Sequence, residues 1–78
     1  MIFKNGEERM KRISEAMQVI AWDFRKPIEL GLMEISDEKF GGVRHLSIII
    51  EGKYLRLCDE TIKEFSDSYN PLTEINKQ

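Results

Sequence analysis

The feature that most constrains the fold is a series of apolar side chains at helical spacing in residues 5–24. They recur three or four positions apart, which places them on one face of a helix. The members of this apolar face are Met10, Ile13, Met17, Ile20 and Phe24. Most charged side chains of the segment fall on the other face. The sequence therefore predicts an amphipathic helix whose apolar face requires a second layer to cover it.

The ends of this helix are also marked in the sequence. Asn5 is a favourable N-cap because its side-chain oxygen accepts a hydrogen bond from a backbone N–H of the first turn. Glu8 follows at the spacing of a capping box. Pro27 lacks an N–H and disfavours helical backbone angles at Lys26, so we expect the helix to end before it.

Two large side chains do not fit the apolar face. Val19 and Trp22 point away from it if the helix runs unbroken to Phe24. Either the terminal helix or a chain end packs on them, or Trp22 is an exposed contact for a partner. Tryptophan is enriched at binding hot spots, and Arg25 lies close by in the sequence. The pattern leaves open whether Trp22 is buried.

The clearest strand is residues 43–51, where β-branched residues dominate and side chains alternate between two faces. Gly52 supplies a tight turn, and residues 54–58 return as an antiparallel strand. We expect one face of this hairpin to lie over the first helix, formed by Leu46, Ile48, Ile50, Leu55 and Leu57. The other face should meet water, with Ser47, Glu51, Tyr54 and Arg56.

The segment before this hairpin has two interpretations. Residues 28–35 read as a strand with a bulge near Gly31, although a short helix starting at Pro27 also fits the spacing of the apolar residues. The strand is the preferred prediction. Residues 36–42 are a loop by composition. Gly41 and Gly42 predict a plain turn, because no phosphate-binding pattern surrounds them.

A second helix ends the predicted order of elements. Asp59 or Thr61 caps it, and Pro71 ends it. Its apolar positions are Ile62, Phe65 and Tyr69. Leu72 and Ile75 allow a short helical tail after Pro71. The prediction is an α+β fold in the order α-β-β-β-α, with one helical layer on one face of a three-stranded antiparallel meander.

Size and charge limit the functional classes. The 78 residues suffice for a single domain over residues 1–78, and the formal net charge of −2 is too small to indicate a partner. One cysteine excludes an internal disulfide and fits a reducing cytoplasm. No apolar run approaches membrane-spanning length, and charged residues come too early for a signal peptide. We therefore expect a complete small cytoplasmic protein with no membrane partner.

Few residues suggest chemistry. His45 is the only histidine and Cys58 the only cysteine. Pairing across the Gly52 turn places Cys58 opposite Leu46 or Ser47, close to His45, so a thiol site is conceivable. A catalytic pair also needs a cleft, which a small sheet does not provide, and cysteine is commonly a buried apolar residue. One histidine and one cysteine supply two of the four ligands of zinc. We predict no enzyme activity, no metal and no cofactor.

The order of elements resembles that of the double-stranded-RNA-binding domain. In that family, lysines at the start of the second helix bind phosphate. The matching segment here is residues 59–64, with Asp59, Glu60 and Glu64 against one lysine. Such a helix start repels a nucleic-acid backbone. We therefore expect no direct binding to nucleic acid.

The sequence is most consistent with a non-enzymatic protein–protein interaction module or inhibitor, because a chain this short presents a surface more easily than it encloses a pocket. The candidate contact residues are Trp22, Arg25, Asp59, Glu60, Glu64 and Asp67. One alternative is a structural homodimer, paired through the first helix or an edge strand. Another is an acidic nucleic-acid mimic, or a phage-type inhibitor of a host nucleic-acid-binding protein.

Overall fold

A computed structural model describes residues 2–70. Three helices and three strands follow one another: α1 (Gly6–Asp23), α2 (Arg25–Glu29), β1 (Met33–Phe40), β2 (Val43–Ile50), β3 (Lys53–Arg56) and α3 (Asp59–Asp67). The strands form one antiparallel sheet in the order β1-β2-β3. The predicted α+β fold is therefore confirmed, with one additional short helix.

The first helix begins as the sequence predicts. The side chain of Asn5 accepts a hydrogen bond from the backbone N–H of Glu8 at 2.9 Å. The Glu8 carboxylate accepts a hydrogen bond from the backbone N–H of Lys4, one residue before the capping-box position. Both contacts satisfy backbone groups that the helix itself leaves without partners.

The apolar face of α1 is narrower than predicted. Ile13, Ala16 and Ile20 have no exposed surface and join the core. Met10 and Phe24, at the two ends of the predicted face, are 45% and 38% exposed. Those two predictions were wrong, because neither side chain belongs to the core cluster. Val19 is buried and Trp22 is partly exposed.

The segment after α1 contradicts the preferred prediction. Residues 25–29 form α2, and the strand begins only at Met33. Pro27 is tolerated because it is the third residue of this helix, where backbone N–H groups have no helical partner. Gly31 (φ +75°) is not a bulge but ends α2: its N–H bonds to the Ile28 carbonyl, and the Leu32 N–H bonds to the Pro27 carbonyl. This is a Schellman cap.

The predicted loop over residues 36–42 is also wrong, because β1 continues to Phe40. All of β1 pairs with β2, from Met33 opposite Ile50 to Phe40 opposite Val43. Only Gly41 and Gly42 form the turn, with φ of +56° and +81°. Positive φ at both positions defines a type I′ turn, whose twist matches that of the strands.

The core lies between α1 and one face of the sheet, hereafter the covered face. It contains Leu46, Ile48 and Met33 from the strands and Ile62 from α3. Beside this core, the Arg44 guanidinium makes two hydrogen bonds to the Asp37 carboxylate on the neighbouring strand. These hydrogen bonds lower the pKa of Asp37, and they raise that of Arg44.

Three residues of the hairpin, on β2 and β3, differ in exposure from the prediction. Ile50 and Leu55 belong to the covered face by register, yet they are 48% and 60% exposed. The reason is that α3 packs chiefly on α1 instead of extending under β3. Ser47 was expected to meet water, but it is buried. It lies on the sheet face that points away from α1, where the longer side chains of Phe40, Tyr54 and Arg56 surround it.

The start of α3 also differs from the prediction. Its N-cap is Cys58, which has extended backbone angles, rather than Asp59 or Thr61. Asp59 instead binds Arg9 of α1. The helix ends at Asp67, with Ser68 as its C-cap. The predicted tail after Pro71 lies outside the described residues.

Candidate protein-binding surfaces

The predicted contact around Trp22 forms a local pair. The Arg25 guanidinium carbon lies 4.1 Å from the centre of the Trp22 ring, and its Nη1 donates a hydrogen bond to the Trp22 carbonyl at 2.8 Å. Stacking of a cation on an indole ring is favourable at exposed sites by about 0.5–1 kcal/mol. This pair therefore orders the junction between α1 and α2, and its role in binding stays a prediction.

The acidic residues of α3 divide into two groups. Asp59 accepts a hydrogen bond from Arg9 Nε at 3.2 Å. Asp67 is bonded to Arg12 at 3.0 Å and to Lys63 at 2.7 Å. These contacts lower the pKa of Asp67, the hydrogen bond from Lys63 most strongly. Two of the four predicted contact carboxylates thus take part in attaching or ordering α3.

The other two acidic residues of α3 are Glu60 and Glu64, and both are exposed. With Asp59 and Asp67 held by arginines, they leave a small acidic surface. The alternative of an acidic nucleic-acid mimic stays a prediction.

The His45 and Cys58 side chains have different neighbours. The Cys58 sulfur lies 3.2 Å from the Thr61 hydroxyl oxygen at the start of α3. The His45 ring centre lies 5.7 Å from that of Phe40. The register across β2 and β3 places residue 58 beyond the last paired position of β3. The thiol site that the sequence leaves conceivable stays untested, and these contacts give it no support.

Within residues 2–70, no group of three or more histidine, cysteine, aspartate or glutamate side chains is arranged to hold a metal ion. In the same part of the chain, no helix has the length and apolar character needed to cross a bilayer.

The second face of the sheet has no helix on it in the described chain, and we call it the open face. Side chains alternate across a strand and paired residues share a face, so the register defines its members. They are Glu34, Ser36, Glu38 and Phe40 of β1, Val43, His45, Ser47 and Ile49 of β2, and Tyr54 and Arg56 of β3. A sheet face that meets solvent is normally polar, whereas this one contains two aromatic rings and two aliphatic side chains.

Exposure of these apolar groups is substantial. Phe40 is 53% exposed, Val43 49% and Tyr54 60%. The Arg56 guanidinium carbon lies 5.6 Å from the centre of the Phe40 ring, across the sheet. Phe40, Tyr54 and Arg56, together with Glu38 and Ser47, line an open depression of about 500 Å³. The lining of this depression thus combines two aromatic rings with charged and polar groups.

The charges of the open face are distributed unevenly. Its only lysine or arginine, Arg56, lies over the Phe40 ring. Glu34 and Glu38 on β1 form no ion pair with any residue between 2 and 70. Carboxylates beside exposed rings favour a basic group on whatever binds there.

The sequence predicted that Ser47, Tyr54 and Arg56 share the water-facing side of the hairpin, but it did not predict that β1 adds Phe40 to this face. One signal was present: Phe40 and Tyr54 are aromatic residues in otherwise polar surroundings. Phe40 was assigned to a loop, which removed it from the sheet. Comparisons with protein-family models, with curated proteins and with solved structures found no match. Function is therefore inferred from the residues and their geometry.

Proposed function

We propose that this chain is a non-enzymatic protein-binding module of the cytoplasm, and that it binds its partner through the open face of the sheet. The observation that supports this most strongly is the exposure of Phe40, Val43 and Tyr54 on a sheet face without a helical cover. Contiguous apolar groups on a surface, rimmed by polar residues, are typical of interaction sites.

The partner we infer presents an apolar side chain next to a lysine or arginine. The apolar group enters the depression between Phe40 and Tyr54, where it loses contact with water. The basic group then meets Glu38, which lines the depression and lacks an ion pair within residues 2–70. Charge complementarity of this kind fixes orientation and accelerates association more than it raises affinity.

A random peptide library displayed on phage tests this proposal even though the partner is unidentified. We expect immobilised wild-type protein to enrich peptides in which an aromatic or aliphatic residue neighbours a lysine or arginine. Phe40→Ser should abolish this enrichment, and Glu38→Lys should remove its basic component. The matched control is Leu30→Ser, since Leu30 is 71% exposed but lies outside the sheet.

The result that contradicts the proposal is equally specific. Peptides that bind wild type and Phe40→Ser alike, or a selection that enriches no common pattern, would show that the open face is not the binding site. Backbone amide shifts in β1 and β2 on titration of a selected peptide would locate the contact directly.

A further inference from the structure

The outer edge of β3 combines two charged residues, Lys53 and Arg56, with two exposed apolar residues, Tyr54 and Leu55. Exposed edges are commonly protected by charges, because their free backbone groups pair with other strands. Leu55 and Tyr54 are each 60% exposed, on opposite faces of β3, and Ile50 beside Leu55 is 48% exposed. Apolar groups therefore flank this edge on both faces.

The turn before β3 determines which of its backbone groups point outward. Glu51 (φ +52°) and Gly52 (φ +75°) form a two-residue turn of type I′, so Ile50 and Lys53 exchange hydrogen bonds. Alternation then directs the backbone groups of Leu55 toward Ile48. A 2.9 Å hydrogen bond from the Leu57 N–H to the Leu46 carbonyl continues this pattern. The N–H and C=O groups of Tyr54 and Arg56 consequently point away from β2.

These groups define one favourable antiparallel register between two copies of β3. If a two-fold axis passes beside Leu55, then Tyr54 of each copy faces Arg56 of the other. Both residues have outward-pointing backbone groups, as a hydrogen-bonded pair requires. Each guanidinium then lies beside a tyrosine ring, which is a favourable cross-strand pair. The two Leu55 side chains meet at the axis on the covered face.

The other edge of the sheet, β1, is less favourable for pairing when the two-fold axis is centred on Ser36 in the middle of the strand. Across the two-glycine turn, Phe40 and Val43 exchange hydrogen bonds, so every second residue of β1 before Phe40 also bonds to β2. The backbone groups that point outward therefore belong to Met33, Ile35, Asp37 and Lys39. An axis centred on Ser36 would place Glu34 opposite Glu38 of the second copy. Like charges directly opposite each other destabilise a strand pair. Charge thus disfavours this register of β1, whereas the register centred on Leu55 places no like charges opposite each other within β3.

We propose that two copies of this chain associate through antiparallel pairing of their β3 strands, centred on Leu55, to form a continuous six-stranded sheet. The two open faces then lie side by side on one surface of this sheet. The inference goes beyond the proposed binding function and does not depend on it: oligomeric state reports on the β3 edge, and peptide selection reports on Phe40.

Disulfide trapping tests the register. The variant carries Leu55→Cys together with Cys58→Ser, so that each copy has one thiol. In the proposed register the two copies of residue 55 form a non-hydrogen-bonded pair, whose Cα atoms lie about 4.5 Å apart. This separation suits a disulfide. Mild oxidation should convert most of this variant to covalent dimer. Lys53→Cys is the matched control, since its two copies lie roughly 13 Å apart along the paired strands. We expect it to remain largely uncrosslinked.

A second test measures the dimer dissociation constant of charge variants by sedimentation. Tyr54→Arg places two arginines opposite each other, and we expect the dimer dissociation constant to rise about tenfold. Adding Arg56→Tyr to it exchanges the two side chains and should restore the constant to within about threefold of wild type. Circular dichroism verifies that each variant folds. A monomer at millimolar concentration, or trapping of Lys53→Cys as readily as Leu55→Cys, would overturn the proposal.

Discussion

Truncation of Leu46 tests the packing between helix and sheet that positions the open face. Leu46 has no exposed surface and lies at the centre of β2, in one cluster with Ile13 and Ile20 of α1. A leucine-to-alanine change at such a site removes buried methyl groups and leaves a cavity, at a cost of about 2–5 kcal/mol.

This cost is large for so small a protein. At roughly 0.05–0.15 kcal/mol per residue, a chain of this length unfolds with a free energy on the order of 4–12 kcal/mol. Each kcal/mol shifts the midpoint temperature of a domain this size by about 4–8 °C. Leu46→Ala should therefore lower Tm by at least about 8 °C, and in the upper range it leaves little folded protein at 37 °C.

The assay is urea unfolding followed by circular dichroism, with Leu30→Ala as the matched control. Leu30 is the same residue type but 71% exposed, so its truncation should change the free energy of unfolding by no more than about 0.5 kcal/mol. If the two variants lost equal stability, Leu46 would not be packed under α1 and the two-layer arrangement would be wrong.

Three further predictions concern contacts at the edges of this core. The hydrogen bonds from Arg44 lower the pKa of Asp37 below its ordinary value of 3.8; their stabilisation is present above pH 3.8 and is lost as pH falls through the lowered pKa. Urea unfolding should therefore separate wild type from Asp37→Asn at about pH 7 but much less at about pH 2. Gly42→Ala should lower the free energy of unfolding, measured by thermal unfolding, by about 1–2 kcal/mol. The cause is the φ of +81°, since no atom obstructs the added methyl group. An unchanged free energy of unfolding would mean that the turn tolerates a negative φ at this position. Arg9→Ala should lower the free energy of unfolding, measured in urea, by about 1–3 kcal/mol, since it removes hydrogen bonds to Asp59 and to the Arg44 carbonyl. An unchanged urea midpoint would mean that these hydrogen bonds do not stabilise the contacts of α1 with α3 and β2.

Some elements are predictable from the sequence because a single local pattern specifies them. Asn5 and the apolar spacing of α1 give its start and its buried face. The alternation of β2 gives a strand without reference to any neighbour. In both cases the periodicity and the tertiary environment agree.

Other elements depend on partners that are distant in sequence. Ser36 to Phe40 resemble a loop, yet they form a strand because β2 supplies their hydrogen bonds. Leu55 has the side-chain pattern of a buried residue, yet it is exposed because α3 packs elsewhere. Tertiary context overrides local preference at both places.

The candidate site was hidden for the same reason. Phe40 lies 14 residues before Tyr54 in the sequence, on a different strand, and only the strand register gathers it with Tyr54 and Arg56 on one face. The acidic residues of α3 lie within one nine-residue helix, so the sequence alone brings them together. Two of them, Asp59 and Asp67, contact arginines of α1, which sequence alone does not reveal.

Hydroxyl-radical footprinting with mass spectrometry tests most directly that helices cover only one face of the sheet. In dilute protein, we expect rapid modification of Phe40 and Val43, which are 53% and 49% exposed, and protection of Leu46 and Ile48, which are 0% and 9% exposed. Protection of Phe40 and Val43 together with modification of Leu46 would contradict the account, because the face proposed to bind proteins would then be the interior.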